Sequence, residues 1–227
     1  KIGNDRHHFF LVEFDFSRAA AGDGDDFVHF DLPDEVAYTL AYHPTCNVRF
    51  PADLTAVDLG CGSGRHLKLL AEMGLSRIVG LDASFNALVI SRRQCPGPLL
   101  QGNNLHLPLK SGSADIVIAW GSLHYNNKYD LIAMLEEVLR VLKPGGYLFA
   151  TLRSGRDTCL RRGKHLGNDT WITDLDDISG STASFYSEEE LKTSFSSFSE
   201  FTHGLMERTL MGDITKLISH WVMEARK

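Results

Sequence analysis

The chain has 227 residues, 43% of them hydrophobic and 23% charged, with a formal net charge of -6. That length holds one domain, or one domain with modest additions, and can bury a real core. The acidic balance argues against broad nucleic-acid binding, and no apolar run approaches the ~20 residues that span a bilayer. The cysteines Cys46, Cys61, Cys95 and Cys159 are widely spaced and contain no C-x-x-C pair. They therefore offer no zinc ribbon, no redox motif and no disulfide framework, which suits a reducing cytoplasm and predicts no metal site. The chain opens on Lys1, which predicts that something upstream is missing or cleaved.

Residues 1–32 combine a Phe-rich stretch (Phe9, Phe10, Phe14, Phe16) with the acidic run Gly22-Asp23-Gly24-Asp25-Asp26. They read as an N-terminal segment, either mobile or on the substrate side. Residues 33–227 read as the main domain. Val36, Ala37, Leu40 and Ala41 recur at helical spacing behind Pro33, a helix-start residue.

From Leu54 strands and helices alternate. Strands are expected at Leu54–Leu59, Arg77–Leu81, Leu99–Gln101, Asp115–Trp120 and Tyr147–Leu152, with helices at Ser63–Met73, Ser84–Gln94 and Lys128–Leu142. The unbroken apolar run Ile116–Trp120 suits a strand covered on both faces. Such alternation implies a parallel sheet with helices on both faces. Residues 153–180 are polar and read as an irregular insertion. Beyond them Ser187 and Glu190 form a capping-box pattern, and Glu200–Arg208 and Lys216–Ala225 read as two strands around a turn near Gly212.

The chemistry lies at the first strand end. Gly60-Cys61-Gly62-Ser63-Gly64 must turn the chain from strand to helix, and glycines there allow positive φ and close approach of a ligand. Free N–H groups at the helix start favour lone pairs or negative charge. Three alternating glycines between strand and helix point to a nucleoside site. The spacing is not the G-x-G-x-x-G of dinucleotide folds. Asp58, just before the turn, can attract a cationic amino group. Asp82, at the end of the next strand, can accept both ribose hydroxyls.

Val57-Asp58-Leu59-Gly60-Cys61-Gly62-Ser63-Gly64-Arg65-His66 resembles motif I of the class I S-adenosylmethionine-dependent methyltransferases. Gly80-Leu81-Asp82-Ala83-Ser84 is similar to their second motif, and Gln101–Leu109 to the segment that covers adenine. Ala114–Ile118 with Ser122–Tyr125 resembles the fourth motif and the start of the active-site loop. Arg140 and Val141–Gly146 resemble the turn before the fifth strand, read here as structural. The resemblance covers residues 35–225. It implies a Rossmann-like, seven-stranded, mostly parallel sheet whose last strand is antiparallel, and S-adenosylmethionine as cofactor. The cofactor-binding set it implies is Asp58, Gly60, Cys61, Gly62, Gly64, Asp82, Ala83, Asn103, Asn104, Leu105 and Trp120. Asn103 stands where the family usually has an acid; its side-chain oxygen can still accept from the adenine amino group, and a backbone N–H can still serve a ring nitrogen.

Methyl transfer needs alignment and exclusion of water more than it needs a base. His124 and Tyr125, after the fourth strand, are the candidate catalytic residues, with His124 either a general base or a shaper of the cofactor pocket. Arg153 and Arg156 are candidates for holding a phosphate or carboxylate of the acceptor. The expected partner is a small-molecule acceptor methylated at oxygen or nitrogen, with no membrane and no nucleic acid; oligomeric state is left open. The alternatives are a tRNA or protein methyltransferase, a non-catalytic cofactor-binding protein and, less favoured, a nicotinamide-dependent oxidoreductase.

Overall fold

The structure is a computed structural model and describes residues 53–227 apart from Gln94, Pro96, Asp176 and Asp177. The N-terminal segment 1–32, the helix expected behind Pro33 and Cys46 lie outside the described residues.

Five strands run through the first half: β1 (Thr55–Leu59), β2 (Arg77–Asp82), β3 (Leu99–Gln101), β4 (Ala114–Ala119) and β5 (Leu142–Ser154). They pair in the order β3-β2-β1-β4-β5, all parallel. Between them lie α1 (Arg65–Glu72), α2 (Phe85–Ser91) and α3 (Leu131–Val141). The expected elements are present, with ends shifted by a few residues. The third helix is shorter than expected because Lys128–Asp130 winds into a 3₁₀ turn, its entry capped by Asn127.

The two-residue period of the strands divides the core. Val57, Leu59, Val117 and Ala119 point into a cluster with Leu131, Met134, Leu135 and Val138 of α3. Ala56, Ile116 and Ile118 point the other way, into a cluster with Leu67 and Leu70 of α1 and Leu88 of α2. Parallel strands covered on both faces need no polar side, which explains the continuous apolar run of β4. Burial of each large apolar side chain stabilises the fold by about 1.5–3 kcal/mol.

Beyond β5 come β6 (Lys164–Gly167), β7 (Thr170–Ile172), β8 (Thr182–Tyr186), α4 (Glu188–Ser194), β9 (Glu200–Leu210) and β10 (Asp213–Arg226). β10 runs antiparallel to β5, and β9 antiparallel to β10, extending the sheet to the seven strands expected. Three more strands were not anticipated. β8 pairs with Arg153 and Ser154, on the side of β5 that β4 leaves at Ala119, and carries the β6–β7 hairpin. The polar composition of residues 153–180 concealed that hairpin. Its tight turn is made by Asn168 and Asp169 at φ 45° and 50°, residue types that tolerate the left-handed region. The Ser187–Glu190 capping box forms as read.

Candidate active site

The glycine turn after β1 is fastened to the end of β2. Gly60 and Cys61 both donate their N–H to the Leu81 carbonyl, at 2.7 and 3.0 Å, and Gly62 donates to the Asp82 carboxylate at 2.8 Å. Gly64 donates to the Cys61 carbonyl at 2.8 Å. Gly60, Gly62 and Gly64 all have positive φ, at 71°, 53° and 87°. A Cβ at Gly60 would stand 2.5 Å from the Ser122 Cβ, and one at Gly64 2.5 Å from the Ser91 hydroxyl. Beside Gly62 a Cβ would meet nothing nearer than 4.0 Å. Close packing thus explains two of the glycines, and open space beside the backbone accompanies the third. With these four amides used internally, ligand contact falls mainly to the carboxylate that ends β2.

Asp82 is suited to it. Its second oxygen accepts the Ser84 N–H at 2.8 Å, while Ser84 itself caps α2. Two amides orient the carboxylate, and each of its oxygens keeps a lone pair. It borders a cavity of about 240 Å³ together with Gly60, Ala83, Gly102, Asn103 and Asn104. The far wall, residues 103–109, is fixed by α3. Glu137 accepts the Leu107 N–H at 2.8 Å, and Arg140 donates to the carbonyls of Leu107 and Leu109 at 2.9 and 2.8 Å. The Arg140 guanidinium also bonds Glu137, holding that carboxyl down to about 2. Arg140 thus acts on the site from the helix before the fifth strand.

Several expected contacts are redrawn. The Asn103 side-chain oxygen accepts from the N–H groups of Leu105 and His106, at 3.0 and 3.1 Å. Both its lone pairs are thus engaged within its own loop. Leu105 borders neither cavity and packs against the core. The Cys61 side chain lies in the core on the α1 face; burial, with the charges of Asp58 and Asp82, pushes its thiol up to about 12. Asp58 is fully buried and borders neither cavity. Neither of its oxygens has a hydrogen-bond partner, and the His66 ring nitrogen stands 3.4 Å away. Asp58 thus lies buried beneath the turn, where its charge acts on Cys61.

A second cavity, of about 380 Å³, adjoins the first, and Gly60, Gly121 and Tyr125 border both. Gly121 has φ 68° and nothing within 4 Å of where a Cβ would stand, which keeps the passage open. Trp120 and His124, from the end of β4, and Arg153, from the end of β5, border this cavity. His124 is 1% exposed, and neither ring nitrogen makes a well-formed hydrogen bond. Burial, then the Arg153 charge, hold its ring at about 3, with the Thr151 backbone offsetting this only in part. It is neutral at pH 7, available for hydrogen bonding and poor as a general base.

Arg153 donates to Asp157 at 2.6 Å. Arg156 borders neither cavity; it is an exposed side chain paired with Glu207 at 2.9 Å. Arg65, Arg208 and His220 also border the second cavity. His220 pairs in register with Arg153 across β10 and β5, and its ring centre is 5.9 Å from that of His124. Burial, followed by the charges of Arg153, His124 and Arg208, holds the His220 ring well below the ordinary histidine value. Only the sheet order brings these residues together. No local pattern marked them: β9 and β10 carry several other polar and charged residues, and Arg65 begins α1.

Among known proteins, a family model described as a methyltransferase domain matches residues 57–150. A demethylmenaquinone methyltransferase of Lactococcus lactis is 39% identical over 102 residues, which is 41% of this chain and 39% of that protein. A probable tRNA methyltransferase 9B of Homo sapiens is 35% identical over 100 residues, 43% of this chain and 21% of that protein. The chain thus spans well under half the length of these relatives. Among solved structures, a methyltransferase of Methanosarcina mazei superposes with a TM-score of 0.64 at 20% identity, covering 82% of this chain and 97% of that one. One from Mesorhizobium loti gives 0.62 at 21%, covering 78% and 94%. Both are likenesses of fold.

Proposed function

The chain carries a class I S-adenosylmethionine-dependent methyltransferase domain, and on that premise we propose that it methylates a small-molecule acceptor at oxygen or nitrogen. The observation that carries this reading is the pair of joined cavities, one bordered by Asp82 and the 102–104 segment, the other by Trp120, His124 and Arg153.

The residues present fit the cofactor. Asp82 offers two oriented carboxylate oxygens for the ribose hydroxyls. The buried charge of Asp58, felt at Cys61 in the middle of the turn along with that of Asp82, favours a cation there and opposes a pyrophosphate. When bound, S-adenosylmethionine supplies a methyl group on a sulfonium, open to in-line displacement. The absence of side-chain atoms at Gly121 leaves a line between the two cavities. Trp120 and Tyr125 supply aromatic walls that limit water, and Asp82 fixes position; alignment of this kind is the main demand of the reaction. His124, neutral and buried, orients the acceptor by hydrogen bonding instead of carrying its proton away.

The Lactococcus relative is named for demethylmenaquinone and the human relative for tRNA. The second cavity, at about 380 Å³, has the size typical of small-molecule sites. The test is release of S-adenosylhomocysteine across a panel of hydroxylated and aminated small molecules and a tRNA pool. Turnover confined to small molecules supports the reading; turnover confined to tRNA overturns it.

A further inference from the structure

Among the described residues the second cavity is bordered by Arg65, Arg153 and Arg208 and by no aspartate or glutamate, in a chain whose formal net charge is -6. From this juxtaposition, and resting on the methyltransferase reading above, we propose that the acceptor carries an oxyanion, a carboxylate or phosphate, bound between Arg153, Arg208 and the two histidines His124 and His220.

Arg153 is built to present charge. Its Nη1 donates to Asp157 at 2.6 Å, and Asp157 also accepts the N–H groups of Cys159, Leu160 and Ser219, at 2.9, 3.0 and 2.9 Å. That carboxylate is fully buried and does not border the cavity. It holds the guanidinium from behind and leaves the Arg153 Nε buried without a hydrogen-bond partner. Both ring nitrogens of His124 and the Nδ1 of His220 are likewise buried with no well-formed hydrogen bond among the described residues. Polar atoms left this way in a native core call for a partner. An oxyanion meets the whole set at once: it accepts from Arg153, from Arg208 and from an N–H of each imidazole.

The two cavities then have opposite polarity. Asp58 and Asp82 lie at the cofactor end, where their charges act on Cys61. Arg153 and Arg208 lie at the acceptor end, where theirs act on His220. A cationic methyl donor and an anionic acceptor would each enter the cavity of complementary charge and meet at Gly121.

Calorimetry on the full chain saturated with S-adenosylhomocysteine tests this, with benzoate, phenyl phosphate and the neutral isostere benzamide as probes. At least one anion is expected to bind about tenfold or more tightly than benzamide, and the tighter of the two identifies the anionic group. Arg208→Gln and Arg153→Gln should each weaken that anion by about tenfold. S-adenosylhomocysteine affinity, unchanged within about twofold, reports in each variant that the domain is folded. Arg208→Gln stands alone as the test if Arg153→Gln fails that check. Equal binding of anion and amide, or anion binding unaffected by Arg208→Gln, overturns the inference and leaves the cofactor reading intact. Failure of the unaltered protein to bind S-adenosylhomocysteine overturns both.

Discussion

Gly62 donates its backbone N–H to the Asp82 carboxylate across 2.8 Å, joining the turn after β1 to the end of β2. The two motifs stand twenty residues apart in sequence yet form a single unit. Asp82 shapes the glycine turn as well as facing the cavity. Asp82→Ala should therefore weaken S-adenosylhomocysteine binding by roughly ten- to a hundredfold, through loss of charge-assisted hydrogen bonds. Calorimetry reads this directly, and an unchanged affinity would refute the ribose assignment. Asp82→Asn, which keeps one acceptor oxygen, should fall between the two.

Two glycines with similar φ should respond differently to alanine. At Gly64 the new Cβ would lie 2.5 Å from the Ser91 hydroxyl, so packing strain adds to the cost of a left-handed backbone. Gly64→Ala should lower stability by about 2–4 kcal/mol in denaturant unfolding. At Gly121 nothing lies within 4 Å, so Gly121→Ala should cost only about 1–2 kcal/mol. Its methyl group would project where the two cavities join, however, and turnover should fall more than stability does. Equal stability losses at the two sites would contradict the geometry.

Arg140 borders neither of the two cavities but bonds two carbonyls of the segment that walls the nucleoside site. Arg140→Ala should weaken S-adenosylhomocysteine binding severalfold while leaving acceptor KM nearly unchanged. Arg140→Lys, retaining charge but losing the planar fork, should recover only part of the affinity. An effect on acceptor KM alone would show that the segment is held by other means.

His124 makes stability depend on pH. Its folded value, about 3, lies below the ordinary 6.5. Between these values the unfolded chain binds the proton and the folded one does not, so stability rises with pH across that window. The protein should lose stability progressively as pH falls from about 6.5 towards 3, with no further contribution from this group above 6.5. Urea midpoints measured from pH 7 to pH 4 should fall less steeply in His124→Gln than in the unaltered chain. Identical slopes would mean that the ring is not held neutral.

Much of this was legible in the sequence. Local signals marked the strand ends: the apolar run of β4, the glycines of the turn, Ser187 and Glu190 at the start of α4. Asp82 followed from its place at a strand end. Other features depended on tertiary structure. Whether the Asn103 oxygen faces a ligand or caps its own loop depends on backbone geometry that residue identity leaves open. Arg156 and Arg208 look alike in sequence, yet one pairs with Glu207 at the surface and the other borders a cavity. His220 reaches the site only because β10 inserts antiparallel beside β5 and sets it opposite Arg153. The β6–β7 hairpin was hidden because edge strands with exposed faces carry polar side chains, like loops.

The central claim is that the Gly60–Gly64 turn and Asp82 hold S-adenosylmethionine. Calorimetric titration of the chain with S-adenosylmethionine, S-adenosylhomocysteine and NAD tests it most directly. Saturable one-to-one binding of both sulfur nucleosides, and none of NAD, is expected. Binding of NAD alone, or of none of the three, would contradict it.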